Sequence, residues 1–249
     1  MEGSILNKRY AVSDIHGNAT PFLRLLDYVD PDPEELVICG DLGDRGLETY
    51  EVYEECSQLL DEGATIIEGN HDSWLRACLT GKMTQQQFSH ENIGGLTTLK
   101  SIELAQKRHG EEKVSDVVSS VLNGMEFYHE DENFIFVHAG LDPRVPYMDL
   151  QKKDILTMGC KEWSNPNNAH TFDQTVVFGH TPTYRIHRAI TEEDARVWTS
   201  NRAKKIAIDT GAGFGWRLTM VDLWDGIAYA YDLDSRKIIE YRFRRKERF

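Results

Sequence analysis

The feature that most constrains the fold of this 249-residue chain is a series of short apolar runs that end abruptly in glycine and polar residues. Runs of this length, rich in β-branched residues and bounded by turn residues, predict buried strands. The runs cover residues 9–13, 36–39, 64–68, 134–137, 175–178 and 205–208. Because helical patterns separate several of them, the sequence predicts an α/β fold with two packed sheets.

The helical patterns refine this prediction. Thr20 is a candidate N-cap, and Pro21 after it suits the first position of a helix. The pair therefore predicts that a helix starts here. A second helix is expected over residues 47–62. Residues 72–124 are mainly helical, and we interpret them as an insertion over one edge of the site rather than a separate domain. Strand-like runs dominate after residue 175, so the second sheet is expected to come largely from that half of the chain.

Size, charge and cysteine content narrow the class of protein. The chain can bury one sizeable core, so residues 1–249 are expected to form a single domain. With 28 basic and 41 acidic residues, its net charge of −13 disfavours binding to nucleic acids or anionic membranes. Four cysteines without a C-x-x-C pair form neither a zinc knuckle nor a disulfide framework. Lacking a signal-peptide pattern and a membrane-length apolar run, the protein is expected to be cytoplasmic, with its oligomeric state open.

A second pattern lies in the residues that follow five of the predicted strands. Each strand is followed at once by aspartate, asparagine or histidine beside glycine. These side chains are Asp14, His16, Asp41, Asp44, Asn70, His71, His138 and His180, with Arg45 next to Asp44. In α/β sheets, functional groups gather outside the carboxyl ends of the strands. The five clusters are therefore expected to meet at one edge.

Taken singly, these residues have ordinary interpretations. A lone histidine after a strand is usually packed or exposed, and an aspartate after glycine is usually a turn residue. The joint pattern favours a metal site instead. Carboxylate, imidazole and amide oxygen without thiolate suit borderline-to-hard divalent metals. Manganese is the ion expected here, with iron, zinc, cobalt or nickel as alternatives. Two such cations that share a carboxylate suit displacement at phosphorus, because they neutralise the substrate and polarise its oxygens.

The order of the motifs carries a resemblance to a known family. The motifs are Asp14-x-His16-Gly, Gly40-Asp41-x-x-Asp44-Arg45-Gly46, Gly69-Asn70-His71, His138-Ala-Gly140 and Gly179-His180-Thr181. Together they resemble the PPP family of calcineurin-like metallophosphatases over roughly residues 10–221. The likeness is greatest to small bacterial and phage serine/threonine phosphatases, with the symmetrical dinucleoside tetraphosphatases nearby. The resemblance implies the fold of that family, a two-sheet β-sandwich flanked by helices.

The resemblance also implies a role for each motif residue. Two divalent metal ions are expected, with Asp14 and His16 on the first, Asp41 bridging both, and Asn70, His138 and His180 on the second. His71 is similar to the proton donor of the family, with Asp44 orienting its ring. Arg45 is similar to a phosphate clamp, and a guanidinium can pair bidentately with phosphate oxygens.

The chain departs from the family pattern in one place that matters for substrate binding. Family members usually carry a second phosphate-binding arginine after the histidine-alanine-glycine motif, and residues 154–163 contain none. Lys161 is the first substitute to consider, and Arg144 and Arg185 are the others. In addition, Asp72 stands where protein phosphatases commonly have glutamate, and the tetraphosphatase branch is more similar at this position.

These features favour a metal-dependent phosphomonoesterase, most simply a serine/threonine protein phosphatase acting on a phosphoprotein or a small phosphorylated substrate. The alternative enzyme is a hydrolase of dinucleoside polyphosphates similar to the symmetrical bis(5'-nucleosyl)-tetraphosphatases. A third hypothesis is an inactive binding scaffold that keeps the fold. The complete set of motif residues weighs against that third hypothesis.

Overall fold

The computed structural model describes residues 7–164, 168–187, 191 and 195–244. Within them the strands are β1 (Tyr10–Val12), β2 (Leu36–Ile38), β3 (Thr65–Ile66), β4 (Tyr128–Glu130), β5 (Phe134–Val137), β6 (Thr175–Phe178), β7 (Trp198–Ser200), β8 (Lys205–Ala207), β9 (Arg217–Asp222), β10 (Ile227–Asp232) and β11 (Lys237–Arg242). The helices are α1 (Ala19–Val29), α2 (Thr49–Asp61), α3 (Asn70–Leu79), α4 (Gln85–Phe88), α5 (Gly95–His109), α6 (Glu111–Gly124), α7 (Lys153–Met158), α8 (Lys161–Ser164) and α9 (Thr183–His187).

Two mixed sheets flanked by helices confirm the predicted fold class. One sheet has the order β11-β10-β9-β1-β2-β3, in which β1, β2 and β3 are parallel. The other has the order β4-β5-β6-β8-β7, in which β5, β6 and β8 are parallel. All six apolar runs of the sequence form strands, and the central parallel ones are buried on both faces, as continuous apolar runs predict.

The pleat of each strand sends alternate side chains into different layers of core. In β5, Phe134 and Phe136 face the core between the sheets, whereas Ile135 and Val137 face the helices outside. In β2, Val37 faces the core between the sheets, whereas Leu36 and Ile38 face the helices that cover the first sheet. This alternation with a period of two builds a four-layer molecule with helices on both outer faces.

The expected origin of the second sheet is wrong in part. That sheet is built from residues 128–207, and the strands after it return to the first sheet, where β9 pairs antiparallel with β1. Two antiparallel pairings then add β10 and β11. The open edge of β1 offers unpaired N–H and C=O groups, and β9 satisfies them. An apolar run predicts a strand, but it does not specify which sheet the strand joins.

The predicted helical insertion is present as α3 to α6, and α5 and α6 pack on α2. The expected N-cap of α1 is off by two residues. Asn18 precedes the helix, and Thr20 lies in its first turn with its hydroxyl donating to Glu48. Among the helices in the described ranges, none combines the length and apolar character that a membrane crossing needs.

Candidate active site

The site lies where the carboxyl ends of strands from both sheets meet. The loops after β1 and β2 hydrogen-bond to each other, with the N–H of Asp14 donating to Gly40 O at 3.0 Å. The second sheet adds residues after β5 and β6. His138 Nδ1 lies 2.8 Å from Cys39 O, and the N–H of His180 donates to Asp14 Oδ2 at 2.9 Å. The two sheets are therefore tied together through the predicted site residues themselves.

The backbone of these loops is strained in an unusual pattern. In the described residues nine non-glycine residues have positive φ, and six of them belong to the predicted site. They are Asp14, His16, Asp41, Asp44, Arg45 and His180. Left-handed backbone at a non-glycine residue costs free energy and clusters at functional sites. Surrounding contacts must therefore hold these loops in place so that the side chains converge.

Glycine beside the ligand residues permits that convergence. A Cβ atom on Gly69 would lie 2.2 Å from Asp41 Oδ1, and one on Gly40 would lie 2.6 Å from Gly69 N. Any side chain at either position would push the loops apart. The glycine that precedes Asp41 and the one that precedes Asn70 are thus required by close packing of two backbone segments.

Asp41 is at the centre of the cluster. Its Oδ1 accepts the N–H of His71, which leaves Oδ2 turned toward three imidazoles. Oδ2 lies 3.4 Å from His138 Nε2, 3.7 Å from His16 Nε2 and 3.9 Å from His71 Nε2. Two groups of potential ligand atoms, each within 4.8 Å, share this carboxylate. One shared carboxylate between two groups is what a bridged pair of cations requires.

One of these groups combines the residues that are expected to hold the second metal. Asn70 Oδ1 lies 3.1 Å from His138 Nε2 and 2.8 Å from His180 Nδ1. Burial would lower the pKa of His138, but the carboxylates of Asp41 and Asp14 outweigh burial and raise that pKa to about 10. Burial and the neighbouring His138 lower the pKa of His180 to about 4. Donor atoms converge here, and the buried carboxylates call for positive charge, so a divalent cation fits this group.

The other group consists of His16, Asp41 and His71, and the expected ligand Asp14 lies beside it. His16 Nδ1 lies 2.9 Å from the carbonyl of Gly43, which fixes the ring and leaves Nε2 toward Asp41. Asp14 Oδ1 is 3.9 Å from that Nε2, and its Oδ2 accepts from Ser13 and from the backbone of His180. Burial, reinforced by Asp41, raises the pKa of Asp14 to about 6. A cation between these atoms would offset the cost of two buried carboxylates.

The three residues expected to act on substrate lie beside this cluster. Asp44 Oδ2 is 2.7 Å from His71 Nδ1, so the Nε2 atom of that ring faces the cluster. Asp44 Oδ1 accepts the hydroxyl of Thr98, a residue of α5, at 2.6 Å. Arg45 lies against two imidazoles, with Nη2 3.1 Å from His71 Nε2 and Nη1 2.7 Å from His16 Nε2. The structure thus places the His71 imidazole, the carboxylate that contacts it and a guanidinium side by side.

Two buried residues, Thr98 and Asp72, support the site although neither was among the predicted site residues. Thr98 comes from the helical insertion and carries no motif that could have identified it. Asp72 follows the asparagine-histidine pair, and its carboxylate accepts from the N–H groups of Asp41, Leu42 and Gly69. It also accepts the Tyr53 hydroxyl at 3.1 Å. Asp72 therefore joins the loop that carries Asp41 to the start of α3, which carries His71.

The three candidates for the second phosphate-binding residue have different surroundings. Lys161 is exposed at the start of α8. Arg144 is exposed and pairs with Asp142 at 2.7 Å and with Glu162 at 3.4 Å, so carboxylates offset its charge. Arg185 is the exception, because its guanidinium lies over an aromatic ring that also contacts Arg45. Of the three, only Arg185 is linked to a predicted site residue within the described part of the chain.

Comparison with known proteins gives consistent matches. The calcineurin-like phosphoesterase family model matches residues 8–211. A symmetrical bis(5'-nucleosyl)-tetraphosphatase of Nitrosomonas europaea is 27% identical over 76% of the chain, which spans 63% of that relative's length. The asymmetrical bis(5'-nucleosyl)-tetraphosphatase PrpE of Halalkalibacterium halodurans is 25% identical, with 84% of the chain and 87% of the relative covered. A solved structure described as a candidate diadenosine tetraphosphatase shares the fold, with a TM-score of 0.57, 21% identity and coverage of 96% and 95%.

Proposed function

This chain belongs to the calcineurin-like phosphoesterase family, and we propose that it hydrolyses dinucleoside polyphosphates. Membership implies a hydrolase that uses divalent metal ions. The observation that carries the substrate class is the agreement of two relatives, one symmetrical and one asymmetrical, that are both bis(5'-nucleosyl)-tetraphosphatases. They support the dinucleoside alternative better than the serine/threonine phosphatase that the sequence motifs favour.

The residues that would hold the metal ions are those whose donor atoms converge in the structure. They are Asp14 and His16 for one ion, Asn70, His138 and His180 for the other, and Asp41 for both. When bound, two divalent ions neutralise an anionic phosphate, lower the pKa of a bound water and polarise the phosphoryl oxygens. Manganese is the ion we propose, because the donor set of carboxylate, imidazole and amide oxygen suits it.

The remaining chemistry comes from the chain itself. His71 donates a proton from Nε2 to the leaving oxygen, which requires its Nδ1–H to be held by an acceptor. Asp44 provides that acceptor at 2.7 Å, and the Thr98 hydroxyl fixes Asp44 in turn. Arg45 binds the phosphate group being transferred, since its guanidinium lies beside both His71 and His16. His71, Asp44 and Thr98 are buried, which keeps bulk water away from the His71–Asp44 pair and strengthens its electrostatic contact.

A phosphoprotein phosphatase is the second candidate, and the His71–Asp44 pair favours it. A serine alkoxide is a poor leaving group and needs a proton as it departs, whereas a nucleotide leaving from a phosphoanhydride is already a weak base. A well-oriented proton donor is therefore of most use to a phosphomonoesterase. The two candidates need the same metal ions and differ in the group that the site must accept.

Both candidates are tested by one panel of substrates. The purified protein with Mn²⁺ should hydrolyse diadenosine tetraphosphate with a higher kcat/KM than a phosphoserine peptide or p-nitrophenyl phosphate. Chromatography of the products distinguishes symmetrical cleavage, which gives two ADP, from asymmetrical cleavage, which gives ATP and AMP. The matched pair of variants is Asp41→Asn, which should be inactive, and Asp116→Asn on an exposed helix face, which should not. A higher kcat/KM for the peptide would overturn the proposal in favour of the second candidate.

A further inference from the structure

An exposed aromatic ring stands between two arginines at the edge of the candidate site. Phe214 ends the short 3-10 turn Ala212–Phe214, and 44% of its surface is exposed. The guanidinium carbon of Arg45 lies 4.9 Å from the centroid of this ring, and that of Arg185 lies 5.5 Å from it. The two guanidinium groups are therefore neighbours across a single side chain. Arg45 alone of the two belongs to the sequence motifs.

The turn that carries Phe214 is fixed against the site. A Cβ atom on Gly213 would lie 2.4 Å from the His16 ring and 2.7 Å from Arg45 Nη1. Only a glycine allows the turn to approach this closely. The position of Phe214 is consequently determined by the same residues that position His16 and Arg45.

Arg185 is held in place from its own side. Its Nε donates to the hydroxyl of Tyr184 at 3.2 Å. The Tyr184 ring lies edge-on to Phe214, with centroids 6.4 Å apart, and packs on Trp216 at 4.3 Å. Because α9 begins just after His180, Arg185 reaches the site from the strand end that supplies a predicted metal ligand. Aromatic contacts hold the guanidinium by its face and leave N–H groups at its edge for an anion.

Among the described residues neither arginine forms a salt bridge with a carboxylate, although the charge of Arg45 acts on the buried Asp209. The polar side-chain contacts of Arg45 are to imidazoles and that of Arg185 is to a phenol. Arg144, by contrast, is paired with two carboxylates. In a protein with a net charge of −13, two adjacent guanidinium groups that form no salt bridge within the described ranges make a local site for anions.

We propose that Arg185 binds the phosphate group next to the one that Arg45 holds, so that the pair selects substrates with linked phosphates. The inference rests on the proposed function for the identity of the substrate, a nucleoside polyphosphate. A monoester presents a single phosphate to Arg45 and does not extend to Arg185. Phe214 is a positioning residue, because it contacts both guanidinium groups and sets the distance between them.

The first test compares the Michaelis constants of variants for two substrates. Arg185→Ala should raise KM for diadenosine tetraphosphate about tenfold, which corresponds to 1.4 kcal/mol, and leave KM for p-nitrophenyl phosphate unchanged. Arg185→Lys should restore part of the loss, since it keeps the charge without the fork. Phe214→Leu should raise the same KM by a smaller factor. Arg144→Ala and Lys161→Ala are the matched controls, and both should behave as wild type.

The second test does not depend on turnover of a dinucleotide. Pyrophosphate should inhibit hydrolysis of p-nitrophenyl phosphate more strongly than orthophosphate does, and calorimetry should show the same order of binding. Arg185→Ala should weaken the binding of pyrophosphate about tenfold and leave the binding of orthophosphate unchanged. If the wild type cleaves no diadenosine tetraphosphate but this difference persists, the proposed function fails and the role of Arg185 stands. If Arg185→Ala weakens both anions equally, or neither, the inference is overturned.

Discussion

Replacement of Asp72 by asparagine is the perturbation whose effect follows most directly from the structure. The two oxygens of the carboxylate accept four hydrogen bonds. Oδ2 takes the N–H groups of Asp41 and Gly69, and Oδ1 takes the N–H of Leu42 and the hydroxyl of Tyr53. Asparagine has the same shape but replaces one acceptor by an NH₂ group, so one of these pairs must lose its acceptor.

The orientation of the new amide decides the magnitude. If the NH₂ group faces Asp41 and Gly69, two buried N–H groups are left without an acceptor. If it faces Leu42 and Tyr53, the hydroxyl can rotate and accept, and a single N–H is left unpaired. The second orientation is preferred. A buried donor without a partner costs about 1–3 kcal/mol, so Asp72→Asn should lower the free energy of unfolding by that amount.

Urea unfolding followed by circular dichroism measures this change, with Asp116→Asn as the matched control on an exposed face. Tyr53→Phe removes the hydroxyl and leaves a carboxylate with three donors, so it should cost less than Asp72→Asn. The reasoning is refuted if Asp72→Asn changes the free energy of unfolding by no more than the control does. Activity should fall as well, because the loop of Asp41 loses its attachment to the start of α3.

Three further predictions concern the site and a buried lysine. His71→Asn should lower kcat by roughly 10²–10⁴ with metal content unchanged, and the loss should shrink for substrates with good leaving groups; equal losses for p-nitrophenyl phosphate and a phosphoserine peptide would remove His71 from the proton-donor role. A chelator should abolish activity and Mn²⁺ restore it, whereas Asp41→Asn should reduce bound metal measured by elemental analysis and resist such rescue. Burial lowers the pKa of Lys205 to about 8. Below that pH the folded protein must bury a charged ammonium group, which lowers the free energy of unfolding. Lys205→Met should therefore be more stable than wild type near neutral pH, and the difference should shrink as pH rises above about 8, since the wild type gains stability there; a difference independent of pH would contradict this.

The sequence predicts those parts of the molecule that depend on short stretches of chain. Every apolar run becomes a strand, because a run of buried residues between turn residues has few alternatives. The convergence of Asp14, Asp41 and Asn70 follows from the parallel strands β1, β2 and β3, whose carboxyl ends meet at one edge of the first sheet. The sheet joined by residues 217–242 could not be predicted, because it depends on an edge left open by a strand two hundred residues earlier. The support of Asp44 by Thr98 has the same origin, a contact between distant segments that no local pattern encodes.

The left-handed backbone of the site sets activity and stability against each other. Glycine adopts positive φ without strain, so glycine in place of His16 or Arg45 would relieve about 1–2 kcal/mol at that residue while removing the side chain. A library of variants sorted only for resistance to heat should therefore enrich glycine in these loops and yield robust proteins that have lost their chemistry. The same library sorted for turnover should retain histidine at position 16 and arginine at position 45. Positions where the two selections diverge would identify the working residues of such a site without any knowledge of its substrate.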